Sequence, residues 1–161
     1  KVIEVNIYGC MNMMVAAKRQ PRKTKIVYIS TDYVYDGMEG GYTLKSKPNP
    51  GTFYGWSKLA GEAYMTPTDL IIRTSFCKRG TWRPTKKHLQ AVFKDIYTTK
   101  DWVDIIAPKI VKALKRKGII HIATKRKTLE SLAIEDYPEV KVISHKDVRL
   151  GYNYPIDCTI V

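Results

Sequence analysis

A tyrosine and a lysine stand four residues apart, Tyr54 and Lys58, in the stretch FYGWSKLAGE. In a helix this spacing places the phenol and the ammonium on one face. A free tyrosine has a pKa of ~10, and a nearby ammonium favours the phenolate and lowers that pKa. Such a tyrosine can give a proton to a carbonyl oxygen as hydride arrives, or remove it in reverse. The bare spacing also occurs in helices without any chemistry, so its interpretation depends on the residues around it.

A second polar group, Ser30-Thr31-Asp32-Tyr33, stands at the end of the apolar run TKIVYIS. In open α/β sheets, ligands bind at the carboxyl ends of the strands, which is where these side chains are expected. The Thr31 hydroxyl can hydrogen-bond the same carbonyl oxygen that Tyr54 would protonate. The two segments together therefore strengthen the interpretation of Tyr54 and Lys58 as a chemical pair.

Hydrophobic periodicity predicts the elements that position these residues. Apolar side chains recur at helical spacing over residues 2–19, which predicts a mostly buried helix ending near Gln20-Pro21. Short apolar runs predict strands buried on both faces at 24–30, 69–74 and 118–123. Further helices are predicted at 51–64, 84–96, 102–117 and 128–134. Helices that alternate with apolar strands indicate an α/β fold with a parallel sheet covered on both faces.

Length and composition fit one soluble globular domain, since the 161 residues are 44% hydrophobic and 27% charged. The three cysteines are far apart and include no C-x-x-C pair, which argues against a disulfide scaffold and a structural zinc site. His88, His121 and His145 lack the spacing of metal ligands, so no metal is expected, and His121 is interpreted as a hydrogen-bonded sheet histidine. No apolar stretch is long enough to span a membrane, and we expect a cytoplasmic protein.

The net charge of +13 favours anionic partners such as nucleotides, nucleic acids or acidic surfaces. From Lys109 to Lys127 there are eight basic residues and no acidic one. The alternative is a solvated helix face, because cations are favourable near the end of a helix. The run contains no aromatic residue, which argues against nucleic-acid binding.

The segments STDYVYDG and FYGWSKLAGE, separated by a loop rich in proline and glycine, resemble the extended short-chain dehydrogenase/reductase family. Within that family the sequence is most similar to the dTDP-4-dehydrorhamnose reductases and related sugar-nucleotide enzymes. Five further segments carry the same resemblance: VNIYGCMNMMVAA, LIIRTSF, WVDIIA, GIIHIA and YPID.

The resemblance implies NADP or NAD as cofactor and a nucleotide sugar as substrate. It makes Thr31, Tyr54 and Lys58 the catalytic residues, with Tyr54 as the acid/base and Thr31 orienting the substrate carbonyl. Lys58 would lower the pKa of Tyr54 and hold the nicotinamide ribose. Asp32 and Tyr33 would border the sugar, and the residues that flank the nicotinamide would be Thr74, Ser75 and Phe76. The last position is more often tryptophan in the reductases, so the pocket is expected to differ there.

One departure from the family pattern concerns the phosphates of the cofactor. The family binds pyrophosphate through a glycine-rich turn, and no G-x-x-G-x-x-G occurs in this sequence. We therefore expect a partial, doubly wound, Rossmann-like sheet of three layers that lacks its first βαβ units. The alternatives are a fragment, an incomplete chain or a divergent protein. Residues 1–161 are expected to form one α/β domain, with the catalytic motif in 1–80 and a substrate-side region in 81–161.

The function expected from the resemblance is NAD(P)H-dependent reduction of a nucleoside-diphosphate 4-keto-6-deoxy sugar, carried by dTDP or UDP. One alternative is a non-catalytic regulatory subunit on the same fold, favoured by the missing glycine turn and opposed by the intact Thr31, Tyr54 and Lys58. A basic nucleic-acid-binding domain is the third possibility, supported only by the charge. The apolar residues around helix 2–19 also predict a surface that a second copy or a partner chain covers.

Overall fold

The computed structural model describes residues 1–80, 91–148 and 154–161. The predicted helix at 84–96 lies partly outside these ranges, and His88 lies wholly outside them. The helices are α1 (Gly9–Lys18, preceded by a π-helical turn at Glu4–Tyr8), α2 (Phe53–Glu62), α3 (Val103–Ala113) and α4 (Leu129–Asp136). The strands are β1 (Val27–Thr31), β2 (Leu70–Thr74), β3 (Phe76–Cys77), β4 (Ala91–Phe93), β5 (Tyr97–Thr98), β6 (Asp101–Trp102), β7 (Gly118–Ile122), β8 (Lys127–Thr128) and β9 (Lys141–Ile143).

The central sheet is parallel, with the strand order β1-β2-β7. Its register aligns Ser30 with Arg73 and His121, and Thr31 with Thr74 and Ile122. Alternate residues of a strand point to opposite faces, and here α3 packs on one face while α2 packs on the other. The predicted α/β fold with a parallel, Rossmann-like sheet is confirmed.

The apolar core lies between the central sheet and α3. It contains Leu70, Ile72, Ile106, Ala113, Ile120 and Ile122. A second cluster, formed by Val92, Trp102, Leu132 and Ala133, joins the short strands of the carboxyl half to α4. These strands pair in twos, parallel in β3–β6 and β4–β9 and antiparallel in β5–β8.

The predicted helix at 84–96 is wrong in its described part, because Ala91–Phe93 is a strand. All three of its residues are buried, and they pair with Lys141–Ile143. A short apolar run has no periodicity that separates a strand from a buried helix, and this strand is specified by a partner about fifty residues further along.

The helix predicted at 2–19 is present, but the prediction that it is mostly buried is wrong. Met14 is its one buried residue, whereas Val5, Tyr8 and Met13 are each more than half exposed. The helix is covered along the face that meets α2, where Asn6 donates to the Ser57 hydroxyl at 2.9 Å. Large apolar side chains such as Val5, Tyr8 and Met13 lie on the surface that the described part of the chain leaves uncovered.

A buried ion pair joins α2 to the sheet. Arg73 donates through Nε and Nη2 to the two carboxylate oxygens of Glu62, at 3.0 and 2.7 Å. Ser30 donates to the same carboxylate at 2.5 Å, and Arg73 Nη1 donates to the Tyr35 hydroxyl at 2.8 Å. The Tyr35 hydroxyl lies 2.9 Å from Nε2 of His121, whose Nδ1 donates to the Val161 carbonyl at 2.8 Å. His121 is therefore the hydrogen-bonded sheet histidine that the sequence predicted.

Replacing Glu62 with glutamine tests how much this ion pair stabilises the fold. Both side chains are about 95% buried, so Glu62→Gln leaves the Arg73 guanidinium in the interior without its counter-charge. We expect the free energy of unfolding in urea to fall by about 3–5 kcal/mol. The matched variant Glu4→Gln removes an exposed carboxylate and is expected to change nothing measurable. A loss at Glu62 as small as that at Glu4 would contradict the prediction.

Candidate active site

A cleft of about 410 Å³ opens at the carboxyl ends of β1 and β2. Its lining includes all eight residues that the sequence singled out: Thr31, Asp32, Tyr33, Tyr54, Lys58, Thr74, Ser75 and Phe76. Ile29, Ser30 and Lys100 complete it. Segments more than forty residues apart in the sequence therefore contribute to one cleft.

The strand ends place the two threonines next to each other. Thr31 and Thr74 are the last residues of β1 and β2, and they are partners in the sheet register. After Thr31 the chain turns into a 3₁₀ helix at Asp32–Val34, which begins where the Thr31 hydroxyl accepts from the Tyr33 amide at 3.2 Å. This turn brings Asp32 and Tyr33 back over the ends of the strands.

Helix α2 carries Tyr54 and Lys58 and approaches this turn closely at Gly55. Thr52 caps the helix by accepting from the Gly55 amide at 3.0 Å. A Cβ atom at Gly55 would lie 1.9 Å from the backbone oxygen of Tyr33, so only glycine fits. The Tyr33 and Tyr54 rings then meet edge to face, with centroids 6.4 Å apart. The missing side chain at Gly55 is thus what lets Tyr54 reach the cleft.

The sequence predicted that Lys58 lowers the pKa of Tyr54, whereas in the structure this pKa is raised. Burial raises the pKa of Tyr54, the negative charge of Asp32 raises it further, and the nearby Thr31 hydroxyl acts in the opposite direction. The reason is the position of the Lys58 ammonium, which lies 4.1 Å from the centroid of the Tyr28 ring. The phenol of Tyr54 is therefore held in its protonated, proton-donating form.

Lys58 is held at Tyr28 by more than one contact. Its ammonium lies over the Tyr28 ring, and the Tyr28 hydroxyl donates to the Lys58 backbone carbonyl at 3.2 Å. Burial lowers the pKa of Lys58, and the nearby Cys10 and Glu62 partly oppose that effect. The lysine thus lines the cleft in a partly buried position.

Asp32 is the most deeply buried acid of the cleft, with 1% of its surface exposed. Its Oδ1 accepts from the Thr31 hydroxyl at 3.0 Å, while Oδ2 has no hydrogen-bond partner within the described ranges. Burial raises the pKa of Asp32 to about 6, although the positive charge of Lys100 lowers it in part. The Thr74 hydroxyl is a second buried group without a partner in the same part of the structure. Two buried polar atoms beside this cleft therefore have hydrogen-bonding capacity that the described residues do not use.

Sequence reasoning missed Lys100, which lies between β5 and β6. It enters the cleft because β6, which follows it, pairs with β3 just after the end of β2, and no local motif marks this lysine. Only the tertiary structure shows that Lys100 lies near Asp32.

The basic run at 109–127 is partly neutralised. Arg126 pairs with Asp157 at 2.8 Å and covers the Tyr97 ring at 3.5 Å from its centroid. Lys127 pairs with Asp101 at 2.6 Å.

In the described ranges, no three histidine, cysteine or acidic side chains are grouped as a metal site. No described helix is long and apolar enough to cross a membrane.

The parallel sheet, with a cleft at the ends of its strands, has the Rossmann-like arrangement of short-chain dehydrogenase/reductase structures. Residues 1–128 match the family described as the RmlD substrate binding domain. Because this match covers most of the sequence, the chain belongs to that family.

Individual relatives match shorter parts of the chain. It is 40% identical over 60 residues to methionine adenosyltransferase 2 subunit beta of Danio rerio, covering 37% of this chain and 17% of that protein. It is 37% identical over 76 residues to dTDP-4-dehydrorhamnose reductase of Aggregatibacter actinomycetemcomitans, covering 45% and 25%. The crystal structure of dTDP-4-dehydrorhamnose reductase from Bacillus anthracis in complex with NADP superposes with a TM-score of 0.75 at 26% identity, covering 97% and 63%. The chain thus spans less than two thirds of each of these proteins.

Substitution at Gly55 tests the close approach of α2. Gly55→Ala places a methyl group against the Tyr33 carbonyl, so we expect a loss of about 1–3 kcal/mol in the free energy of unfolding. Gly9→Ala is the matched control, because its nearest contact would be an ordinary 3.6 Å and alanine favours helix by about 0.5–1 kcal/mol. Urea denaturation of both variants measures the difference. Equal stability of the two variants would disprove the steric role of Gly55.

The raised pKa of Asp32 predicts a stability effect with a definite sign. The folded protein holds this proton up to a pH of about 6, whereas the unfolded chain loses it near 3.8. The stability that the carboxyl contributes is therefore complete below pH 3.8 and is lost as the pH rises through about 6. Two pKa units correspond to about 3 kcal/mol.

Asp32→Asn removes this titration without changing the size of the side chain. We expect the free energy of unfolding to rise by about 1–3 kcal/mol at neutral pH and to stay unchanged in acid. Asp104→Asn, at an exposed acid of α3, is the control and should be neutral at both pH values. Destabilisation by Asp32→Asn at neutral pH would show that ionised Asp32 stabilises the fold instead.

Proposed function

We propose that the protein is an NAD(P)H-dependent reductase of a nucleoside-diphosphate 4-keto-6-deoxy sugar, linked to dTDP or UDP. The observation that carries the proposal is the meeting of Thr31, Tyr54 and Lys58 in one cleft at the strand ends. Membership of the RmlD substrate binding domain family and the NADP complex of a structural relative support the substrate and cofactor classes. In this proposal residues 1–80 carry the catalytic motif and residues 81–161 form the substrate side.

The residues of the cleft fit the nicotinamide end of such a cofactor. Lys58 supplies a cation for ribose hydroxyls, the unpartnered Thr74 hydroxyl offers a hydrogen bond, and Phe76 presents a partly exposed ring at the rim. When bound, the reduced nicotinamide supplies hydride to the carbonyl carbon of the substrate. The chain's own side chains have to bind the substrate and provide the proton.

Tyr54 is the proposed source of that proton. Burial and the charge of Asp32 keep its phenol protonated at neutral pH, which is the form that can give a proton to a carbonyl oxygen. Thr31 stands beside it at the end of β1 and orients the same oxygen. In this proposal the Lys58 ammonium moves from the Tyr28 ring toward the phenolate left behind and stabilises it, because an ammonium near a phenolate favours the charged form.

The reductase is favoured over a non-catalytic subunit because a subunit without chemistry would not require these three side chains in one cleft. One relative is itself named as a subunit, so the alternative has a definite expected result: ligand binding without turnover. A second copy or a partner chain over the exposed apolar side chains of α1 and of the π-helical turn before it also stays a proposal, supported by Val5, Tyr8 and Met13.

Removing the reactive groups one at a time tests the reductase. In the protein expressed from its complete reading frame, we expect oxidation of NADPH by a dTDP-linked 4-keto-6-deoxy sugar. Tyr54→Phe should lower turnover by about 10²–10⁴-fold with the fold intact, because only the proton donor is lost. Thr31→Ala should lower it by about 10²-fold. Lys58→Ala should lower turnover and weaken cofactor binding together.

Tyr64→Phe is the matched control for the tyrosine, because Tyr64 follows the same helix and lies outside the cleft lining. It should leave turnover unchanged. Nicotinamide absorbance follows the reaction, and calorimetry follows NADPH binding. Turnover that survives Tyr54→Phe would refute the assigned role, and NADPH binding without turnover in the natural protein would favour the regulatory subunit.

A further inference from the structure

The hydroxyl of Thr31 has one proton to donate, and the structure shows where that proton goes. Thr31 Oγ1 accepts from the Tyr33 amide at 3.2 Å and donates to Asp32 Oδ1 at 3.0 Å. A threonine hydroxyl has a single donor and two acceptor positions. While Asp32 is ionised, the Thr31 proton is therefore used inside the site and is not available to a ligand.

Protonation of Asp32 at Oδ1 reverses this hydrogen bond. The carboxylic acid then donates to Thr31 Oγ1, which already accepts from the Tyr33 amide. Both acceptor positions of the hydroxyl are then filled, and its own proton is released toward the cleft, on the side where the Tyr54 hydroxyl lies. Oδ2 has no partner within the described ranges, so Oδ1 is the oxygen that connects the carboxyl to Thr31.

The surroundings of Asp32 allow both protonation states. The groups that act on it electrostatically come from every neighbouring segment: Thr31 of β1, Tyr33 of the turn, Tyr54 of α2, Ser75 after β2, Lys100 after β5 and Cys158 near the carboxyl end. Burial favours the neutral acid, and Lys100 favours the carboxylate. The balance leaves the pKa of Asp32 at about 6, so both protonation states are populated between about pH 5 and pH 7.

We propose that Asp32 is a positioning residue that sets the direction of the Thr31 hydroxyl, so that Thr31 donates to a substrate carbonyl only when Asp32 is protonated. This inference rests on the proposed reductase function. It adds a control over whether the Thr31 hydroxyl can donate its proton to the substrate. Asp32 acts through Thr31 and takes no part in hydride transfer. The orientation of one hydroxyl thus links the reaction to the protonation of a buried acid.

The pH dependence of kcat/KM tests the proposal in the protein from the complete reading frame. In the natural protein kcat/KM should fall as the pH rises through about 6, by up to tenfold per pH unit. Asp32→Asn should abolish this fall, because the amide can donate to Thr31 at every pH. Asp104→Asn makes the same charge change outside the cleft and should keep the fall.

The route through Thr31 is tested by Thr31→Val. This variant is slower at every pH, and in its background Asp32→Asn should have no further effect on the pH profile. A fall in kcat/KM that persists in Asp32→Asn, or that is missing from the natural protein, overturns the inference while leaving the reductase established by its turnover. Absence of turnover at every pH refutes the proposed function instead.

If the protein shows no turnover at any pH, a measurement without substrate still tests the inference. Carbon NMR of the Asp32 carboxyl should show a midpoint near pH 6 in the natural protein. Because the carboxylate loses its donor in Thr31→Val, the midpoint should rise there by about one pH unit. An unchanged midpoint would show that Asp32 and Thr31 are not coupled and would overturn the proposal.

Discussion

The bidentate ion pair between Glu62 and Arg73 is the interaction on which the geometry of the cleft depends. Glu62 is the last residue of α2, and Arg73 precedes the last residue of β2. The pair fixes the carboxyl end of the helix on the sheet, while Gly55 lets the amino end approach the turn after β1. With both ends held, the helix has little freedom to rotate, and Tyr54 and Lys58 face the strand ends. The desolvation cost of burying two charges is offset because each oxygen of Glu62 accepts from Arg73 and one also accepts from Ser30.

Inside the cleft, burial has a larger effect than the charge of the lysine. It raises the pKa values of Tyr54 and Asp32 and lowers that of Lys58, so each group is shifted toward its neutral form. The Lys58 ammonium is stabilised by the Tyr28 ring, over which it lies. Before any ligand enters, the cleft thus holds a protonated Tyr54 and a Lys58 ammonium at the Tyr28 ring, and an arriving polar ligand would change this balance by competing for Lys58.

Much of this site was predictable because its residues lie in local motifs with a fixed geometry. The Tyr-x-x-x-Lys spacing and the polar residues at the end of β1 specify a helix face and a strand end, and the parallel sheet then brings them together. The strand at Ala91–Phe93 and the approach of Lys100 were not predictable, because distant partners specify them. The direction of the Tyr54 pKa was expected wrongly, since sequence spacing places Lys58 on the right helix face but does not show that Tyr28 competes for its ammonium. The exposure of α1 depends on what packs beside it, which helical periodicity cannot show.

Strand β1 is an edge of the central sheet within the described part of the chain, because it pairs with β2 on one side. Backbone amides that point outward from such an edge exchange their hydrogens with solvent faster than those of β2, which is paired on both sides. Thr31 is the last residue of this edge strand, so the position of its hydroxyl depends on backbone that is paired on one side only. Any segment that adds a strand to this edge would slow that exchange and would also reduce the motion of Thr31. Pairing along the β1 edge and accurate placement of the Thr31 hydroxyl are therefore linked.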